Sequence, residues 1–254
     1  MKLAAVLTFP ATRRRVARVW LPFTKRSIAC LFVWAAQGPH AYLRGIADDV
    51  GSQRFALGVQ RAERTAFWGT TPTEHLQSWL FNGHLRPHDW FFAGVHAAWF
   101  FLPLGLLVWI AVFRWSLFWS FAAVWLATLF VSDIGFFMLP TEPPWMALPV
   151  ERILVMRVNG VIELDTNPLA AMPSLHVGLP ATLAVWFWLQ RMRAWALAVG
   201  LYVLVTAFAV VYMGEHYAVD VLAAFLVAVG IVQGQRWIVH LIGRKARGSA
   251  APDP

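Results

Sequence analysis

The sequence predicts an all-α integral membrane protein, a six-transmembrane-helix bundle with interfacial helices in its extracytoplasmic loops. Composition is the first observation: of 254 residues, 59% are hydrophobic and 13% charged, where a soluble domain holds roughly 45–50% apolar and about 25% charged residues. The second is a series of apolar runs, each near the ~20 residues needed to cross about 30 Å of hydrocarbon. The third is 15 Trp and 19 Phe, rings that suit both lipid and headgroup layers. The net charge of +8 gathers at the termini and in short loops. That pattern fits anionic headgroups and membrane orientation, and excludes a nucleic-acid reading. Cys30 stands alone, so no internal disulfide is expected.

Residues 1–26 carry Lys2, Arg13, Arg14, Arg15, Arg18, Lys25 and Arg26, and read as a basic cytoplasmic arm. No apolar h-region with a small-residue cleavage site follows these arginines, so no cleavable signal peptide is expected. Residues 27–89 form a unit of one span and a polar extracytoplasmic segment. The span covers about Ser27 to Ala47 and is interrupted by Gln37, Gly38, Pro39, His40 and Arg44. Within the polar segment, Pro72 to Leu80 reads as a short interfacial helix capped by Thr71 or Thr73. Residues 90–242 are the membrane core. Its spans run over Trp90–Phe113, Ser116–Leu139, Ser174–Leu189, Trp195–Met213 and His216–Ile242. Pro140-Thr141-Glu142-Pro143-Pro144-Trp145 stops the second of these, because adjacent prolines cannot continue a helix. The loop that follows is expected to hold a short helix near Val150 to Arg157. Residues 243–254 are a basic, disordered cytoplasmic tail. No internal repeat is visible.

Loop charge orients the bundle. The basic arm, Arg114, Arg191, Arg193 and the Arg244–Arg247 cluster share one side, while loops 48–89 and 140–173 mix both signs. The termini are therefore cytoplasmic and the long loops outside. That places the starts of the fourth and sixth spans on the extracytoplasmic face.

Those two starts carry the chemistry. The first reads Ala171-Met172-Pro173-Ser174-Leu175-His176, the second Gly214-Glu215-His216-Tyr217-Ala218-Val219-Asp220. Ionisable residues at the edge of a span are costly and mark functional sites. Pro173 suits a first helical turn, Ser174 a cap, and the free N–H groups there attract anions. His216 and Asp220, four apart, are expected on one helix face, where the carboxylate fixes the imidazole tautomer and sharpens the other nitrogen. Taken singly, each motif is also compatible with a helix end facing headgroups. Taken together, His176, His216 and Asp220 define one site. The same three residues are a 2-His-1-carboxylate set of the kind that binds non-haem iron, and a transporter lined by polar residues is a third class; paired broken helices, the usual transporter sign, are not seen.

The motifs resemble those of the type 2 phosphatidic acid phosphatase superfamily, membrane lipid phosphatases that share a core with vanadium haloperoxidases. The family reads P-S-G-H followed by S-R-x5-H-x3-D; this chain has Pro173, Ser174, His176, His216 and Asp220. The resemblance implies His216 as a nucleophile that becomes phosphohistidine, Asp220 as its orienter and His176 as general acid, then base. It implies no metal and no cofactor. The substrate would be a lipid phosphate, with water or an alcohol as acceptor. Leu175 replaces the glycine, Val210 the family arginine, and Trp79 the lysine of K-x6-R-P ahead of Arg86-Pro87. Met172–His176, His216-Tyr217 with Asp220, and Pro143-Pro144-Trp145 are similar to the branch that contains fungal inositol phosphorylceramide synthase, whose activity is phosphotransfer to an inositol-type alcohol. With the family cations missing, Arg152 and Arg157 are the expected phosphate-binding groups beside Ser174, and Arg54, Arg61 and Arg64 are weaker ones. His96 and Asp133, inside the second and third spans, either shape an acceptor pocket or pair with each other. Glu215 is expected to face solvent, and Trp90, Trp99, Trp145 and Trp195 to form an interfacial belt.

Overall fold

The computed structural model describes residues 10–50, 55–153, 157–158, 162–163, 167 and 169–248. In chain order the helices are α1 (Pro10–Ala35), α2 (Gly38–Val50), α3 (Phe55–Ala66), α4 (Pro72–Leu80), α5 (Pro87–Ala98), α6 (Leu102–Phe113), α7 (Phe118–Met138), α8 (Pro144–Ala147), α9 (Leu175–Leu189), α10 (Arg193–Tyr212) and α11 (Ala218–Gly248). Strands β1 (Arg157–Val158) and β2 (Ile162–Glu163) form a two-residue antiparallel ladder, too small to change the helical class.

The middle helix is α9, with α7, α10 and α11 packed around it. Its core neighbours come from a dense aromatic row on α7, including Phe118, Phe121, Trp125 and Phe136. On α11 the facing stripe is small, Ala224 and Ala228 at helical spacing, both fully buried. Small residues let membrane helices approach closely, and Gly178 of α9 meets Ala224 there. Thr128 of α7 donates to Val124 O at 2.7 Å and lies 3.0 Å from the Thr182 hydroxyl of α9, which in turn lies 2.9 Å from Gly178 O. Away from this core the helices are apolar outward: Leu197, Leu201 and Leu204 on α10 and Leu222 and Leu226 on α11 are all exposed. A soluble protein does not leave such faces to water.

Among the described residues, three helical stretches are long and apolar enough to cross a bilayer: Trp115–Met138, Arg193–Tyr212 and Ala218–Arg244. The pair α5–α6, bent by 45°, makes a fourth if taken as one span. The stretch expected as the second span is therefore not one straight helix, and Trp99, Phe100 and Phe101 fill the break. The expected first span is also divided, between α1 and α2 at Ala36 and Gln37, where Gly38 and Pro39 open a new helix. The expected fourth span is α9, only 15 residues. The helix expected near Val150–Arg157 is absent over its described residues; a single turn at Pro144–Ala147 replaces it, because Pro144 suits a first turn while Leu148-Pro149 ends it.

Two outer pieces brace the bundle end that holds the motifs. The helix at Pro72–Leu80 forms as the sequence predicts, with a full capping box: Glu74 N–H donates to Thr71 Oγ1 at 3.3 Å and Thr71 N–H to Glu74 Oε2 at 2.8 Å. From this helix the Gln77 amide donates to Glu151 O (2.8 Å) and Tyr212 O (2.9 Å) and accepts from Glu151 N–H (2.9 Å). One buried side chain thus ties α4, the loop after α8 and the end of α10. On the other side, His40 of α2 pairs with Asp133 of α7 at 2.7 Å, which docks α2 on the bundle.

Candidate active site

The first motif is fixed from below and beside. Thr141 N–H donates to Leu169 O at 2.9 Å, joining the two ends of the loop between α7 and α9. The chain then passes through a cis Met172–Pro173 bond against α7 at Gly135. A Cβ on Gly135 would lie 2.5 Å from Pro173 Cδ and 3.0 Å from Met172 O, so only glycine admits this contact. Ser174 is the N-cap of α9, as expected, but its side chain makes no cap hydrogen bond. Its Oγ is buried without a hydrogen-bond partner among the described residues.

The second motif is a tight turn between α10 and α11. Gly214 adopts φ +81°, a left-handed conformation open to glycine at no steric cost. Glu215 and His216 N–H both donate to Val210 O, at 3.0 and 3.1 Å. The last span is expected to open at His216; α11 begins two residues later, at Ala218. Its pairing with Asp220 is therefore not made across a helix face. Asp220, at the third position of α11, turns its Oδ2 back to accept Tyr217 N–H at 2.9 Å, and the same oxygen lies 3.5 Å from His216 Nδ1. Asp220 is completely buried.

The motifs meet. Ser174 N–H donates to Asp220 O at 3.2 Å, and His176 Nδ1 lies 3.3 Å from His216 Nε2. His216 Nδ1 faces Asp220 at 3.5 Å but makes no hydrogen bond there among the described residues. A proton on Nδ1, which that carboxylate favours, directs the Nε2 lone pair at His176. Trp99, in the α5–α6 break, donates from Nε1 to Leu175 O at 2.9 Å and tilts against the His176 ring at 5.0 Å between centroids. His96 stacks on the His176 ring at 4.2 Å between centroids. Since Asp133 binds His40, the alternative that His96 and Asp133 pair with each other is not realised.

The expected cations are distributed unevenly. Arg152 lies at the site's rim, with Nε 2.7 Å and Nη2 3.1 Å from the Glu215 carboxylate and its guanidinium 4.5 Å over Trp145. Glu215, expected to face solvent, is buried in this pair. Arg157 opens β1, and its side chain lies outside the described residues, as does Arg54 altogether. Arg61 is exposed, and Arg64 is bound to Glu74 at 2.7 Å. Of the expected tryptophan belt, Trp90 faces outward, whereas Trp99 and Trp145 are walls of the site and Trp195 packs on Trp109 and Phe187.

Two groups were missed by sequence reasoning. Arg44 of α2 lies within electrostatic reach of His176 and exchanges hydrogen bonds with the buried Asn167, which donates to Arg44 O at 2.7 Å. The sign was present: an arginine inside an otherwise apolar run. Glu63 of α3 is 2% exposed and accepts Val219 N–H at 2.9 Å, next to Asp220. Burial pushes its carboxyl up from 4.5 to about 7, the nearby Asp220 adding to the shift and the backbone donors opposing it. Nothing in the sequence of α3 signals its partner. Among the described residues no group of three or more His, Cys, Asp or Glu is arranged to hold a metal: His216 directs one nitrogen to Asp220 and the other to His176.

Two histidines in contact, one beside a buried carboxylate, thus lie at the joined starts of two helices. The sequence profile of the PAP2 superfamily matches residues 60–233, and the chain belongs to that superfamily. Phosphatase-type activity on phosphate esters follows from this membership. No curated protein and no solved structure matches the chain.

Proposed function

We propose that this protein is a six-span membrane enzyme that cleaves a P–O bond of a lipid phosphate at the extracytoplasmic face through a phosphohistidine on His216. The 3.3 Å approach of His176 Nδ1 to His216 Nε2 carries the reading. His216 Nε2 attacks phosphorus as the bond to the leaving alcohol breaks, and His176 Nδ1–H gives that oxygen its proton. His176 then takes a proton from water or from an alcohol whose oxygen attacks the phosphohistidine. The P–N bond breaks, and its electron pair returns to Nε2. Asp220 holds the proton on His216 Nδ1 and balances the charge that develops there. Because the two nitrogens are in contact, the rings part to admit the phosphoryl group between them.

The phosphate oxygens need donors. The Ser174 hydroxyl, the first-turn N–H groups of α9 and the Arg44 guanidinium are assigned to them, with Arg152 held at the rim by Glu215. His96, stacked on His176, and Trp99, tilted against it, keep the ring in place. Water and an inositol-type or sugar-type alcohol are both admissible acceptors, since the same base serves either; similarity to the inositol phosphorylceramide synthase branch favours the alcohol.

The test is labelled phosphate transfer from a panel of lipid phosphates by purified protein in vesicles, with and without added inositol. Acid-labile label on wild-type protein and none on His216→Ala is expected. His176→Ala should become labelled only by donors with good leaving groups. Full turnover by either variant would refute the assignment.

A further inference from the structure

Helix α3 stands outside the bundle core, yet two of its side chains grip the first turn of α11. Gln60 donates from its amide to the Tyr217 hydroxyl at 3.2 Å and to Ala147 O at 3.4 Å. One helical turn on, Glu63 Oε1 accepts Val219 N–H at 2.9 Å, while its Oε2 is buried with no hydrogen-bond partner among the described residues. The residue after Val219 is Asp220, which binds Tyr217 N–H from inside the same turn. Its Oδ1 is also buried without such a partner. One helix N-terminus therefore receives two carboxylates, one from its own sequence and one from α3.

A helix N-terminus favours negative charge, but two buried carboxylates at close range do not both ionise readily. Among the described residues, the groups facing Glu63 are Asp220 from α11 and the Tyr217 hydroxyl from the preceding turn, which Glu142 also reaches. On α3 itself Arg61 is exposed and Arg64 is bound to Glu74, so no cation of α3 neutralises the pair. A proton is thus retained between Glu63 and Asp220 near neutrality. Glu63 is the better holder, since Asp220 is the one drawn toward His216 Nδ1.

We propose that Glu63 is a positioning residue for the His216–Asp220 pair, fixing the first turn of α11 from α3 and carrying the proton that leaves Asp220 ionised against His216. Below neutrality Glu63 is uncharged and only Asp220 acts on the imidazole. As pH rises and Glu63 ionises, a second negative charge favours imidazolium and repels phosphate, so turnover declines. The catalytic half of this inference rests on the function proposed above.

The experiment compares wild type, Glu63→Ala and Glu63→Gln in the full chain. The first readout is the titration of His216 by NMR on protein labelled with ring 15N-histidine, assigned by difference with His216→Ala. The second is the pH profile of kcat/KM for lipid phosphate. Glutamine keeps an oxygen for Val219 N–H and stays neutral. In Glu63→Gln the His216 ring signals should lose the change that follows Glu63 ionisation above neutrality, and the decline of kcat/KM there should disappear. Glu63→Ala should lose about tenfold or more in kcat at pH 6, with glutamine recovering most of it. An identical pH profile of the His216 signals in all three proteins overturns the inference even if the enzyme is active. A wild type that turns over no lipid phosphate overturns the function instead, and the His216 titration still decides the role of Glu63.

Discussion

Gly135 is the position where one added methyl group should reach the chemistry. In Gly135→Ala the new Cβ would stand 2.5 Å from Pro173 Cδ and 3.0 Å from Met172 O, against an ordinary carbon–carbon contact of about 3.5–4.0 Å. Neither neighbour is a flexible side-chain end, so helix α7 and the Pro173 turn must separate by about 1 Å. Overpacking of this kind costs about 1–3 kcal/mol, and the rigid neighbours put it at the upper end. Alanine regains about 1 kcal/mol of helix propensity. The net loss is about 2 kcal/mol, a fall in Tm of about 4–8 °C for a chain of this size. The displaced turn carries Ser174 and leads into His176, and a shift of about 1 Å in a reacting group costs about a hundredfold in rate. The internal control is Gly178→Ala, whose Cβ would meet Ala224 Cβ at an ordinary 3.5 Å; it should keep both Tm and rate. Thermal unfolding in detergent and kcat/KM on lipid phosphate check the pair. A Gly135→Ala protein with wild-type Tm and rate within twofold would show that the Pro173 turn is not held by α7.

Asp220→Asn should lower kcat by about a thousandfold or more while leaving the protein folded, because the amide no longer selects the Nδ1–H tautomer of His216; labelling of His216 is the direct measure. Arg44→Ala should raise KM for lipid phosphate by about ten- to a hundredfold, the worth of a hydrogen bond to a charged group, with Arg44→Lys recovering only part. Trp99→Phe removes the N–H donated to Leu175 O and should cost about 1 kcal/mol, read as a lower Tm. The raised Glu63 carboxyl gives a pH dependence of stability. Its folded value of about 7 lies above the ordinary 4.5, so the unfolded chain releases the proton first. The associated stability, up to about 3 kcal/mol, is full below pH 4.5 and is lost as pH rises toward 7. Apparent Tm across that range should fall in wild type and stay flatter in Glu63→Gln.

The parts of this molecule that were legible in the sequence depend on local pattern. Apolar runs mark α7, α10 and α11; Thr71 with Glu74 marks the start of α4; and His176, His216 and Asp220 lie at span boundaries where ionisable residues are costly. What escaped depends on tertiary placement. The break between α5 and α6 is marked in the sequence by Pro103 alone, at the second position of α6, while Trp99, Phe100 and Phe101 themselves read as continuous span. Arg44 read as a defect in a weak span because its partner, Asn167, lies far along the chain. Glu215 read as solvent-facing because its partner Arg152 comes from another loop, and Glu63 passed as one charge of a polar segment because its partner, Val219 N–H, lies 156 residues further on.

The brevity of α9 has a consequence for what the enzyme can reach. Fifteen residues rise about 22 Å, against about 30 Å of hydrocarbon. Set in a bilayer with its basic Arg191–Arg193 end at one surface, the middle helix would end about 8 Å short of the other, and the start of α11 would lie at the same depth, since Ser174 N–H meets Asp220 O. A diffusing soluble ester would have to descend to that depth, whereas a molecule already residing in the leaflet would arrive from the side with its headgroup near that level. Depth of immersion would then act as the first filter on what is processed, ahead of any contact with the headgroup itself.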